Sequence, residues 1–111
     1  MPYAIRVQAG QDEGEVYPLF ENREITVGRS PTNNIFIRDR NVSRVHCQVV
    51  VTDQGVFLSD LQSTNGTYVN AQRVSETKLS IGDEIRVGTT LLKLQELDQE
   101  VRGMTDTAVL D

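Results

Sequence analysis

Apolar residues fall at every second position at Val45, Cys47, Val49 and Val51, the longest clean alternation in the 111-residue chain. A period of two is that of a strand with one buried face, since successive side chains point to opposite sides of a sheet. Shorter runs of the same kind cover Tyr3–Val7, Glu15–Phe20, Glu24–Val27, Ile35–Ile37, Val56–Asp60, Tyr68–Val69, Glu84–Val87 and Thr90–Leu94. Gly, Pro, Asn, Asp and Ser punctuate the gaps, and no helical period is convincing before residue 95. The pattern predicts an all-β chain, a β-sandwich of about ten or eleven short, mainly antiparallel strands. Aromatics make up 5% of the chain and Trp is absent, so the core must be built from Val, Ile and Leu, which also favour strands.

The expected organisation is one domain over residues 1–95 followed by an acidic tail, 96–111, that is mobile or forms a short helix. Pro18 marks its strand as an edge, because proline cannot donate to a ladder. Asp53-Gln54-Gly55, Gly88-Thr89 and Ile81-Gly82-Asp83 read as turns. Asn70-Ala71 stands where a two-residue hairpin would want Asn-Gly, so a distorted or longer hairpin is expected there. The one cysteine, Cys47, shares the buried face of its strand and is expected to be an inert apolar residue. The chain opens Met1-Pro2 with no apolar leader and no run of membrane-spanning length, which predicts a native N-terminus and a cytoplasmic location.

Three polar clusters sit where the alternating runs start or stop: Gly28-Arg29-Ser30, Ser43-Arg44-Val45-His46 and Ser63-Thr64-Asn65-Gly66-Thr67. Strand ends are loops, and three loops converging at one end of a sandwich would gather guanidinium forks, hydroxyls and a side-chain amide. That is the chemistry of an oxyanion receptor. Residues 29–44 hold Arg29, Arg38, Arg40 and Arg44 against Asp39, a local surplus of three positive charges in a chain of net charge −5. An acidic body with one basic rim should repel nucleic acid and membrane surfaces while attracting a small anionic group at the rim. Four solvated surface arginines are the alternative reading of the charge alone.

These clusters, with Leu79-x-x-Gly82-Asp83 after them, resemble in order and spacing the forkhead-associated (FHA) domain, over about residues 3–95. The resemblance implies a sandwich whose apical loops bind phosphothreonine peptides, a mode of phospho-motif recognition. By that likeness Arg29, Ser43, Arg44 and Thr64 would contact the phosphate, and Asn65 would hold the peptide main chain. Asn41 falls in the region that reads the third residue after the phosphothreonine, with Arg38 and Arg40 as basic neighbours. Gly28, His46 and Gly66 would support the loops rather than touch ligand. The implied protein is a non-catalytic adaptor without cofactor, whose partner is a phosphothreonine-containing kinase or kinase substrate.

Other classes fit the residues less well. A hydrolase would need Ser43 as nucleophile, His46 as base and a third orienting group, and no oxyanion loop accompanies them. One His and one Cys at adjacent positions fall short of a metal-ligand set. A phosphate-independent interaction module that uses a sheet face for protein contacts stays open. In the tail, Thr105 and Thr107 are candidate phosphorylation sites in an acidic setting; once modified, either could dock in this domain's own pocket or a neighbour's, with an inert tail as the alternative.

Overall fold

The computed structural model describes residues 2–97, and these form eleven strands and no helix. In chain order they are β1 (Tyr3–Ala9), β2 (Val16–Leu19), β3 (Glu24–Gly28), β4 (Ile35–Phe36), β5 (Cys47–Thr52), β6 (Gly55–Asp60), β7 (Thr67–Val69), β8 (Gln72–Val74), β9 (Glu76–Leu79), β10 (Glu84–Val87) and β11 (Thr90–Glu96). One sheet runs β2-β1-β11-β10-β7-β8 and the other β4-β3-β5-β6-β9. All strand pairs are antiparallel except β3 with β4. The chain is therefore the all-β sandwich that its alternation predicts.

The core lies between the sheets. Cys47, Val49 and Val51 of β5 are inward and at most 1% exposed, and Ile25 and Val27 of β3, Val56 and Leu58 of β6, and Ile5, Val7, Ile85, Val87, Leu92 and Leu94 of the facing sheet complete it. Ile35 and Ile37 are likewise buried. Burial pushes the Cys47 thiol up to about 12, with Asp60 adding to the shift, so it stays protonated and unreactive. β2 is the edge strand that Pro18 indicates, and Gly82 adopts a positive φ of 94° in its turn.

Two local expectations are corrected. β5 begins at Cys47 rather than Val45, and Val45 is 44% exposed. The cause is a tight turn, in which the Nδ1 of His46 accepts the backbone N–H of Ser43 and takes the segment before Cys47 off the strand path. The β7–β8 connection is neither longer nor distorted in register. Val69 pairs with Gln72 across the two-residue loop Asn70-Ala71, and both residues take positive φ (49° and 70°). Ala71 thus occupies a left-handed position that Gly would fill without steric cost. Asn70 compensates, donating from Nδ2 to Asp83 and accepting the Glu84 N–H at Oδ1.

Strand β11 runs through Glu96, and the Leu97 amide bonds the Pro2 carbonyl. The remainder of the acidic tail, including Thr105 and Thr107, lies outside the described residues.

Candidate functional site

Strands β3, β5, β6 and β7 deliver the three polar clusters to one end of the sandwich, and short side-chain-to-backbone bonds hold them there. Gly28 closes β3 at a point where a Cβ would overlap the carbonyl oxygen of Arg44 and come within 2.7 Å of Asn33 Nδ2. Only glycine lets the two loops approach so closely. The backbone N–H groups of Arg29 and Ser30 then bond the carbonyls of Ser43 and Arg44 at 3.0 and 3.1 Å, continuing the sheet pairing into the loops.

Arg29 is exposed, and its Nε donates to the Val42 carbonyl at 3.0 Å. Its two terminal nitrogens make none of the described hydrogen bonds, so an oriented fork remains for a ligand. Ser43 is half-buried. Its Oγ accepts the Thr64 N–H at 3.0 Å, which leaves the hydroxyl hydrogen to be given elsewhere. Arg44 and Thr64 are exposed neighbours of this contact. Asn65 is exposed too, and its Nδ2 donates to the Asn41 carbonyl at 2.8 Å, while its Oδ1 accepts none of the described bonds. The structure therefore joins Arg29, Ser43, Arg44 and Thr64 in one contiguous group and Asn65 with Asn41 beside it.

His46 lies at the centre and is fully buried. Because Nδ1 accepts from the Ser43 amide at 3.0 Å, the ring proton must sit on Nε2, which donates to the Gly66 carbonyl at 2.9 Å. Both nitrogens are committed to backbone, and neither meets Ser43 Oγ. A serine–histidine nucleophile–base contact is therefore not what these residues form. Gly66 has φ +88°, and a Cβ there would come 2.8 Å from Arg73 Nε.

Three residues that the motifs did not single out hold the loops. Asn33 is buried, and its Nδ2 bridges the carbonyls of Ser30 (2.7 Å) and Arg44 (2.6 Å). The Asp39 carboxylate accepts from the Asn41 amide, the Thr89 amide and the hydroxyls of Thr89 and Thr90, each at 2.8–2.9 Å. It thereby ties the 38–41 loop to the β10–β11 turn, where the closely packed Gly88 abuts Val42. Asp60 accepts from the Ser63 amide and hydroxyl and from the Thr67 hydroxyl. Burial alone pushes both carboxyls up, but the donated hydrogen bonds outweigh it and hold each below its ordinary value of 3.8. The signal for the two acids is in the sequence: Asp39-x-Asn41 and Asp60-x-x-Ser63 are spacings at which a carboxylate caps its own loop. Asn33 has no such signature, because its partner Arg44 is distant in sequence.

The basic rim is smaller than the charge count suggests. Arg38 is paired with the buried Asp12, with Nη2–Oδ1 at 2.7 Å and further bonds from its Nε and backbone N–H at 2.9 Å. Its guanidinium staples the 10–14 turn to the site's flank, with Nε and Nη2 committed to Asp12. Next to Asn41 and Asn65 a hollow of about 220 Å³ opens towards Tyr68, Arg86 and Thr89.

Comparison with known proteins agrees with this geometry. The FHA domain family model matches residues 25–88. An oxoglutarate dehydrogenase inhibitor of Corynebacterium diphtheriae is 37% identical over 82 residues, which are 74% of this chain and 57% of that protein. The FHA domain-containing protein FhaA of Mycobacterium tuberculosis is 38% identical over 85 residues, 77% of this chain and 16% of FhaA. The chain thus spans little more than half of the first of these relatives and a small part of the second. A solved structure from a study of phosphothreonine-dependent FHA domain interactions superposes with a TM-score of 0.80 at 32% identity, covering 88% of this chain and 99% of its own. With the family model over more than half its length and the three loop clusters assembled at one end, the chain belongs to the FHA domain family.

Proposed function

We propose that this chain is a phosphothreonine-peptide-binding adaptor in Ser/Thr kinase signalling, with no catalysis of its own. One observation carries the reading. Arg29 Nε and Ser43 Oγ are each fixed by one backbone contact, Val42 O and Thr64 N–H, while the terminal guanidinium nitrogens and the hydroxyl hydrogen stay unspent. A phosphate monoester brings roughly −1.5 to −2 charges and three acceptor oxygens, which matches a fixed, donor-only cleft. In this reading Arg29, Ser43, Arg44 and Thr64 hold the phosphate, Asn65 holds the peptide backbone through its free Oδ1, and Asn41 faces the flanking residues. The domain occupies 1–95 with the acidic tail after it, the setting is cytoplasmic, and Thr105 or Thr107 in the tail is a candidate ligand for the same pocket. The relatives' descriptions as an inhibitor and an FHA-domain protein are consistent with a binding module. Among the described residues no helix is long and apolar enough to cross a membrane.

Calorimetry with degenerate phosphothreonine, phosphoserine and unphosphorylated peptide pools tests the proposal. Low-micromolar binding, about −8 kcal/mol, is expected for the phosphothreonine pool alone. Affinity should also weaken as pH falls below about 6, where the phosphate takes up its second proton. Equal or absent binding across the pools would reject the reading and favour contacts through a sheet face.

A further inference from the structure

The outward faces of the two sheets differ in charge. On β1, β11, β10, β7 and β8 the exposed or half-exposed outward positions include Arg6, Lys93, Arg86 and Arg73, with Glu84 as their one acid. Strand register places them side by side: Arg6 opposite Lys93, Lys93 opposite Glu84, Arg86 opposite Tyr68, and Tyr68 opposite Arg73. The other sheet presents Glu24, Glu76 and Lys78 among neutral residues. In a chain of net charge −5, this face has a surplus of three positive charges, opposite in sign to the whole. None of the four basic side chains has an acidic partner within ion-pair distance among the described residues.

Arg86 is moreover held in place. Its guanidinium stacks on the Tyr68 ring, 4.4 Å from the centroid, and both line the hollow that begins at Asn41 and Asn65. Stacking fixes a guanidinium plane while leaving its edge N–H groups for a carboxylate. The face is thus continuous with the recognition loops, and its nearest cation is already oriented.

We propose that this cationic sheet face is a second recognition surface, taking an acidic segment of the same partner whose phosphothreonine enters the loops, with Arg86 as the first contact and Arg73, Lys93 and Arg6 extending it. The proposal rests on the phosphothreonine reading above. Charge complementarity and the unbroken path from Asn65 through Tyr68 to Arg86 select this occupant. A carboxylate-rich segment satisfies donors that a neutral one would leave to water, and the face adds discrimination and association rate.

The test uses the full chain and phosphothreonine peptides with Asp/Glu or with Ser/Gln at the positions before and after the phosphothreonine. The acidic peptide should bind about tenfold tighter than the neutral one in about 0.05 M salt, and the advantage should shrink at about 0.5 M. The double variant Arg86→Gln, Lys93→Gln, at exposed or half-exposed sites, should abolish that advantage and leave affinity for the neutral peptide within about twofold. Equal affinity for acidic and neutral peptides, or equal loss of both in the variant, would overturn the second surface while leaving the phosphate pocket intact. An acidic preference that arises only after deletion of 98–111 would assign the face to the chain's own tail instead and overturn the partner as occupant. Failure of every phosphothreonine peptide to bind better than its unphosphorylated form would remove the parent reading, and this one with it.

Discussion

At the end away from the polar clusters, strands are joined by two-residue turns set mainly by backbone register, with Asn70 adding side-chain bonds to Asp83 and Glu84. Asp53-Gln54 links β5 to β6 and Asn70-Ala71 links β7 to β8, each closed by the register of the strands it connects. At the recognition end the loops are longer and have few ladder bonds of their own. Asn33, Asp39, His46 and Asp60 supply the missing partners, each bonding backbone from a separate stretch or capping its own loop. The difference is between local and long-range order. A turn fixed by its own φ and ψ survives most neighbouring substitutions, whereas a loop fixed by a distant side chain depends on that side chain alone.

The comparison breaks most visibly at His46. Replacing it with Ala leaves the Ser43 N–H and the Gly66 carbonyl without partners in a buried setting and opens a void. At about 1–3 kcal/mol for each unsatisfied group, the His46→Ala variant should lose about 2–6 kcal/mol, a fall in Tm of about 10 °C or more. Phosphothreonine-peptide binding should fall with it, because both neighbouring loops lose their register. Thermal denaturation and calorimetry on the same sample check the pair; a variant that melts like the parent and binds unchanged would mean the loops hold each other without the imidazole.

Arg29→Lys separates the receptor from its scaffold at the same end. Lysine keeps the charge but offers no fork and no Nε to bond Val42 O, so peptide affinity should drop at least about tenfold. The melting temperature should move little, since Arg29 is exposed and the substitution removes only the bond from its Nε to the Val42 carbonyl. A fall in melting temperature in step with the loss of affinity in Arg29→Lys would show that binding merely follows global stability.

Much of this end was legible in the residues before any geometry. The clusters at 28–30, 43–46 and 63–67 are polar interruptions in apolar alternation, and loops at strand ends can converge at one end of a sandwich. Most of the strands were legible for the same reason: apolar residues at every second position leave one solution for burial, whereas β8 and β9 carry no such run. What stayed hidden is whatever depends on a distant partner. Arg38 reads as one more rim cation until Asp12, far back in the chain, claims it. Asn33 reads as a turn residue until its amide meets the Arg44 carbonyl. Val45 continues the alternation, yet the His46 ring turns that stretch into a loop. The Arg86–Tyr68 stack is likewise invisible without the register of β10 on β7.

The carboxylates of the recognition end also give it a pH signature. Asp39 and Asp60 are held below their ordinary value in the folded chain, so the unfolded chain binds protons first as pH falls. Their contribution is complete above the unfolded value near 3.8 and is lost as pH drops through the lower folded values. Stability should therefore be flat above about pH 5 and decline below about pH 4. Chemical denaturation across that range measures the slope, and Asp39→Asn should reduce it while lowering stability at neutral pH. An unchanged slope in that variant would place the acid sensitivity elsewhere.

The smallest expected effect lies at the far end and has the opposite sign. Ala71 sits at φ 70°, where a Cβ crowds the backbone, at a cost of roughly 1 kcal/mol relative to an unstrained residue. Ala71→Gly removes that strain, and glycine's greater freedom in the unfolded chain offsets roughly 0.5 kcal/mol of the gain. The net should be a stabilisation of about 0.5 kcal/mol, a rise in Tm of about 2–4 °C. Asn70 keeps its bonds to Asp83 and Glu84, so the turn type does not change. Peptide affinity should be the same in this variant, because β7 runs from the recognition loop into the core before reaching the turn and its Thr67 end is anchored independently by Asp60. A stabilised far end with altered binding would mean that strain at Asn70-Ala71 is transmitted along β7 to Asn65, and that the two ends are one cooperative unit rather than two separately closed ones.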